Sequence, residues 1–175
     1  VVFAGGIAPS LEGEEMPVSV PGFKGGDRED IQLPAVQRNV VKALKEAGKR
    51  VVFVNFSGSA MGLVEESRNC EAIIQAWYPG QAGGTAIVDV LFGKYNPAGR
   101  LPVTFYKDVK QLPDFQDYSM RGRTYRYFQG EALYPFGYGL SYTTFEYGKA
   151  KLSKNAMDKK ETVTLTVPVK NTGKI

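Results

Sequence analysis

Apolar positions along this chain follow two rhythms. Short continuous runs at Val1-Val2-Phe3-Ala4, Val51-Val52-Phe53-Val54-Asn55-Phe56 and Ala72-Ile73-Ile74-Gln75-Ala76-Trp77-Tyr78 have the character of strands buried on both faces. Leu101-Pro102-Val103-Thr104-Phe105 reads as a further short extended piece. Between the first two runs, Leu33, Val36, Val40, Leu44 and Ala47 recur at helical spacing and predict a helix with one buried stripe. Pro34 opens that helix, Gly48 ends it, and Lys42, Lys45 and Lys49 suit its negative end. A second helix is predicted over 81–91, with Ala86, Ile87, Val90 and Leu91 facing the core. Strands alternating with helices imply an α/β fold: an open, mainly parallel sheet flanked by helices.

Other segments break the alternation. Residues 7–30 are polar and rich in turn signals, a loop of a length that is usually functional or disordered. Residues 57–71 read as a polar connection with one helical turn. Asn96-Pro97-Ala98-Gly99 has the composition of a β-turn. Residues 106–145 hold Tyr, Phe, Arg and Gly without a period and read as surface loops packed over the sheet. From Thr162 onward Val163, Leu165, Val167 and Val169 alternate with polar residues or Pro, the pattern of a half-buried antiparallel strand, and Asn171-Thr172-Gly173 offers a turn. One or two strands cannot fold alone, so this end reads as a truncated β-sandwich segment.

Composition removes several kinds of chemistry. The chain has 175 residues, no His and a single Cys. Serine or cysteine nucleophiles activated by histidine, internal disulfides and thiolate metal clusters are therefore excluded within it. Acid–base work must fall to carboxylates, Tyr or Lys. Residues 149–175 hold seven Lys against Asp158 and Glu161, a balance of +5; residues 1–148 hold 15 Lys and Arg against 16 Asp and Glu, a balance of −1. The basic excess thus belongs to a lysine-rich tail, a solvated loop rather than a nucleic-acid surface. No apolar run approaches the ~20 residues of a membrane span, and no charged leader precedes Val1.

Three features could carry function. Glu12, Glu14 and Glu15 cluster in the first loop. Such clusters are most often solvated surface charge, but clustered carboxyls beside apolar neighbours can retain a proton near neutral pH. Asp27-Arg28 suits an ion pair holding the loop to the start of the helix, or placing an acid-bearing loop over a substrate. The segment containing Arg121, Arg123 and Tyr125 could pack against the domain or line a sugar cleft. Gly80-Gln81-Ala82-Gly83-Gly84 matches neither phosphate-binding pattern and reads as tight strand–helix packing. Trp77 and Tyr78 could stack on a sugar, with core packing under the turn as the plainer reading.

The run Ala76-Trp77-Tyr78-Pro79-Gly80-Gln81-Ala82-Gly83-Gly84, continued by Asp89-Val90-Leu91-Phe92-Gly93 and Asn96-Pro97-Ala98-Gly99-Arg100-Leu101-Pro102, is followed by Tyr134-Pro135-Phe136-Gly137-Tyr138-Gly139-Leu140-Ser141-Tyr142-Thr143-Thr144-Phe145. In that order they resemble the second domain of glycoside hydrolase family 3, the β-glucosidases and β-xylosidases. The resemblance implies an α/β sandwich domain over 1–145, lacking its first strands, and the start of a fibronectin type III-like domain over 146–175. It implies a retaining exo-glycosidase acting on terminal β-linked sugars of an oligosaccharide or β-glycoside, without cofactor or metal. The partner is a (β/α)8 barrel of the same protein, which carries the Asp nucleophile. Ala4-Gly5-Gly6-Ile7 followed by Leu11-Glu12-Gly13-Glu14 and Gly26-Asp27-Arg28 resembles the loop bearing the general acid/base. That implies the role for Glu12, with Glu14 and Glu15 left open because 16–25 resembles an insertion. The family is commonly secreted or periplasmic. Two readings stand beside it: a non-catalytic carbohydrate-binding or interaction module, and a nucleotide-binding α/β domain.

Overall fold

The computed structural model describes residues 1–12 and 15–175. In chain order its elements are β1 (Val2–Gly6), α1 (Pro9–Glu12), β2 (Phe23–Lys24), β3 (Asp27–Arg28), α2 (Ala35–Glu46), β4 (Val52–Phe56), α3 (Val64–Asn69), β5 (Ala72–Gln75), α4 (Gly83–Leu91), α5 (Thr124–Tyr127), β6 (Phe145–Tyr147), β7 (Lys151–Leu152), β8 (Leu165–Thr166) and β9 (Val169–Asn171). They pack as two units, residues 1–88 with 100–138 and residues 89–99 with 139–175.

The first unit is built on a parallel sheet in the order β1-β4-β5. Val2 pairs with Val52, and Val52 in turn with Ala72. The central strand is the apolar run that reads as buried on both faces: Phe53 and Val54 are almost inaccessible, and so is Asn55. Phe53 joins Ile7, Phe23, Leu33, Met61 and Leu63 in one core. The α/β sheet expected from the alternation of strands and helices is therefore present. No described helix is long and apolar enough to cross a membrane.

Several local expectations are corrected. The buried stripe of α2 is only partly the expected one: Leu33 is buried and Leu44 half-buried, but Val36 and Val40 are 69% and 41% exposed and Ala47 is exposed, whereas Val41 is 1% exposed. The inward face instead carries Gln37, whose side chain donates to Gly6 O and accepts from Gly6 N, both at 2.7 Å. Gln37 shares this face with Val41 and Leu44. The loop of residues 7–30 contains the one-turn α1 and the antiparallel β2–β3 pair. The strand expected over 72–78 ends at Gln75, because Trp77 adopts the left-handed region, φ 57°. In α4, Ala86 is exposed, leaving Ile87, Val90 and Leu91 half-buried. The extended piece at 101–105 contributes a single antiparallel bridge from Phe105 to Tyr134.

In the second unit, Asn96 makes a side-chain tether instead of the expected β-turn. Its Oδ1 accepts from Ser141 Oγ at 3.0 Å and Tyr142 N at 2.8 Å. The alternating segment divides into β8, which pairs with β7, and β9, which pairs with β6, both antiparallel. Pro168, lacking an N–H, separates the two pieces. Of the half-buried face expected there, Val163 alone is half-buried; Leu165 and Val169 are 61% and 56% exposed. Asn171 Oδ1 accepts from Gly173 N at 3.0 Å, closing the expected turn.

One buried acid has a consequence for stability. Glu66 on α3 is fully buried, and neither carboxyl oxygen has a hydrogen-bond partner. Burial, the largest influence, pushes its pKa above the ordinary 4.5 and Glu65 adds to the rise, while the charge of Arg38 opposes it. The folded state therefore holds this proton to higher pH than the unfolded chain does. Its stability is undiminished below the ordinary value and falls as pH rises through the folded-state value. Glu66→Met is expected to abolish this dependence and stabilise the fold at pH 7 by about 1–3 kcal/mol. Urea unfolding of the full-length protein at pH 4 and pH 7 checks this, and a variant weaker at both would contradict it.

Candidate functional site

Parallel strands present their carboxyl ends on one edge, where open α/β sheets bind ligands. Here all three ends lead to one carboxylate. The chain leaving β1 forms α1, whose last residue is Glu12. The chain leaving β4 carries Gly58 and Ser59, and that leaving β5 carries Trp77 and Tyr78. Tyr78 OH donates to Glu12 Oε2 at 2.9 Å, and Ser59 Oγ donates to Glu12 Oε1 at 3.1 Å. Arg28, from the β2–β3 pair, donates through Nη1 to Ser59 Oγ at 2.7 Å and to Ala60 O at 3.1 Å. The same Nη1 lies 3.6 Å from Glu12 Oε1, with both side chains mostly buried. Each carboxylate oxygen thus receives a hydroxyl proton, and a guanidinium supplies the counter-charge.

A buried polar network holds the loop after β4. Asn55 Nδ2 donates to Gln75 Oε1 at 2.6 Å, Gln75 Nε2 donates to Ser57 Oγ at 2.9 Å, and Ser57 Oγ donates to Ser59 O at 2.8 Å. Neighbouring strands β4 and β5 are thereby linked at the end from which Ser59 and Tyr78 depart. Trp77 packs edge-on against Phe105, ring centres 6.0 Å apart. With Gly58, Ser59, Ala60, Pro102 and Val103 it lines a shallow cleft.

Burial lowers the Arg28 pKa from its usual value, while the charges of Glu12 and Asp30 pull it back up. Arginine remains a cation under any such change. Burial pushes the Tyr78 phenol up to about 12, and its hydrogen bond to Glu12 reinforces the rise. Tyr78 therefore stays a proton donor across the physiological range. Cys70, raised to about 11 chiefly by burial, has little nucleophilic thiolate.

The candidates from the sequence separate clearly. Glu12 and Arg28 come together. The ion pair of Arg28 is with Glu12, whereas Asp27 is exposed and pairs with Lys24 only through the β2–β3 ladder. Glu14 lies outside the described residues, and Glu15 is exposed in a turn. Arg123 donates to Ser119 O, Asp117 O and Asp114 O, tying its own loop. Tyr125 stacks on Phe136 at 4.6 Å, and Arg121 lines a separate shallow cleft with Met120 and Tyr127. Among the described residues, these contacts do not involve the loop of Glu12. Tyr78, 41% exposed, is not the core residue expected beneath the turn. Its position three residues past the end of β5, which parallels β4, is the signal that could have pointed to it; Ser59 stands three residues past the end of β4 in the same way.

Residues 1–142 match the profile of the glycosyl hydrolase family 3 C-terminal domain. A xylan 1,4-β-xylosidase of Xylanibacter ruminicola is 65% identical over 99% of this chain and 20% of its own length. A periplasmic β-glucosidase of Salmonella typhimurium is 42% identical over 86% of the chain and 21% of its own length. The solved structure of a β-glucosidase from Erythrobacter marinus superposes with a TM-score of 0.81 at 37% identity, covering 98% of this chain and 23% of that one. The chain spans about a fifth of the length of these curated relatives. With the profile matched across the whole of the parallel-sheet unit and on into the second, the chain belongs to glycoside hydrolase family 3, to its C-terminal domain.

Proposed function

We propose that this chain is the part of a retaining exo-β-glycosidase that supplies the general acid/base, and that Glu12 is that group. The observation carrying the proposal is the meeting of all three sheet ends on the Glu12 carboxylate. The names of the similar enzymes, a xylan 1,4-β-xylosidase and a β-glucosidase, support terminal β-linked xylose or glucose as the sugar. Retaining hydrolysis needs a second carboxyl ~5–5.5 Å away as nucleophile. That nucleophile is assigned to a (β/α)8 barrel of the same protein. Glu12 first gives its proton to the leaving oxygen, and the nucleophile forms the glycosyl-enzyme. Glu12 then takes a proton from water as the water releases the sugar. The β2–β3 pair, carrying Asp27 and Arg28, braces the loop. Residues 146–175 are read as the opening of a fibronectin type III-like domain.

This polypeptide alone, with one of the two carboxyls, is expected to give no multiple-turnover hydrolysis of aryl β-glycosides. Release of aryl alcohol well beyond one equivalent by the purified chain would refute the division of labour. Replacement of Glu12 in the full-length protein tests the role itself.

A further inference from the structure

We infer that Tyr78 is the positioning residue that fixes the orientation of the Glu12 carboxyl, and that Gly58 is the gap that admits it; this rests on the acid/base reading of Glu12. Oε1 is held by Ser59 at 3.1 Å and by Arg28 at 3.6 Å, both on one side of the carboxyl. With that hold alone the group could pivot about Oε1. Tyr78 grips the other oxygen at 2.9 Å, and two points of attachment define the plane of the carboxyl.

The phenol proton has an acceptor in Glu12 Oε2, 2.9 Å away. The ring lies so close to Gly58 that a Cβ there would sit 2.8 Å from Tyr78 Cε2, and 3.6 Å from Glu12 Oε2. A Cβ at position 58 must displace the phenol ring, while the carboxylate oxygen stands at ordinary contact distance. The left-handed backbone of Trp77, φ 57°, is unfavourable for a bulky residue. It lies immediately before Tyr78, as expected where a strained turn serves the placement of a neighbouring group.

Tyr78→Phe removes only the hydroxyl, whereas Gly58→Ala keeps the hydroxyl and displaces it. Both are compared in the full-length protein with Glu12→Gln as reference. A hydrogen bond to a charged group is worth about 1.5–3 kcal/mol, so kcat/KM for alkyl β-glycosides is expected to fall roughly 10–100-fold in each variant. For aryl glycosides with activated leaving groups, kcat/KM should stay within about threefold, because the leaving oxygen needs little protonation. Azide needs no base to attack the glycosyl-enzyme, so it should accelerate turnover of activated aryl substrates in both variants and give glycosyl azide. A residue that merely stabilised the fold would lower both substrate classes together and give no azide product.

If Glu12→Gln lacks the leaving-group dependence, the acid/base reading falls and this inference with it. If Glu12→Gln shows the dependence but Tyr78→Phe is neutral or loses both classes equally, the role of Tyr78 alone is overturned. Should Tyr78→Phe not accumulate as folded protein, Gly58→Ala decides by the same criterion.

Discussion

Glu12→Gln in the full-length protein is expected to cut kcat/KM for alkyl β-glycosides by about 10²–10⁴, the usual contribution of a positioned acid or base. Glutamine fills the same space and still accepts at one oxygen, so Ser59 or Tyr78 retains a partner, but it has no proton to give. An alkoxide leaving group depends on that proton, whereas a nitrophenolate does not. The loss for activated aryl substrates in kcat/KM should therefore be small. Their kcat should fall once the glycosyl-enzyme must await an unassisted water. Steady-state kinetics across leaving groups of graded acidity checks this. Equal losses across the series would remove Glu12 from the acid role and leave it a structural carboxylate held by Arg28.

Gly6→Ala is expected to be the most damaging change outside the chemistry. Gly6 ends β1 at φ 131°, and a Cβ would lie 1.9 Å from Phe56 O. That carbonyl accepts from Ile7 N at 2.8 Å. Gln37 holds both backbone polar groups of Gly6. An added methyl must force β1 away from β4 at the end that leads to α1 and Glu12. The strained backbone and the lost hydrogen bonds together should cost on the order of 3 kcal/mol or more. An error of about 1 Å in placing Glu12 could cost about a further 10²-fold in rate. Amide hydrogen exchange in β1 and β4 and the kinetics of the soluble variant measure the two effects. A variant with native exchange and native kinetics would mean that the strand end is not what places the acid-bearing loop.

The same strand end illustrates what a linear pattern conveys. Val51 to Phe56 reads as a doubly buried strand because β-branched and aromatic residues follow one another without polar interruption, and β4 is that strand. The helix after Pro34 is legible too, but its rotation is not. Val36 and Val40 satisfy helical spacing as well as Val41 does. The face that turns inward carries Val41 and also Gln37, a polar side chain whose partner is the backbone of Gly6, 31 residues away. Hydrophobic periodicity has no term for such a bond. The alternating residues 163–169 likewise show strand character, yet their burial depends on an opposing surface rather than on the strand itself.

The order of apolar runs, the helix between them, the absence of histidine and the acidic first loop were determined by the sequence alone. They set the fold class and restricted acid–base chemistry to a few residue types, with the family resemblance pointing to Glu12 and leaving Glu14 and Glu15 open. Which groups surround Glu12 was decided only by the tertiary structure. Arg28, Ser59 and Tyr78 lie 16, 47 and 66 positions from it. Parallel pairing of β1, β4 and β5 brings their carboxyl ends to one edge of the sheet. Contacts of that kind depend on register between strands distant in sequence, which no local pattern of residues encodes.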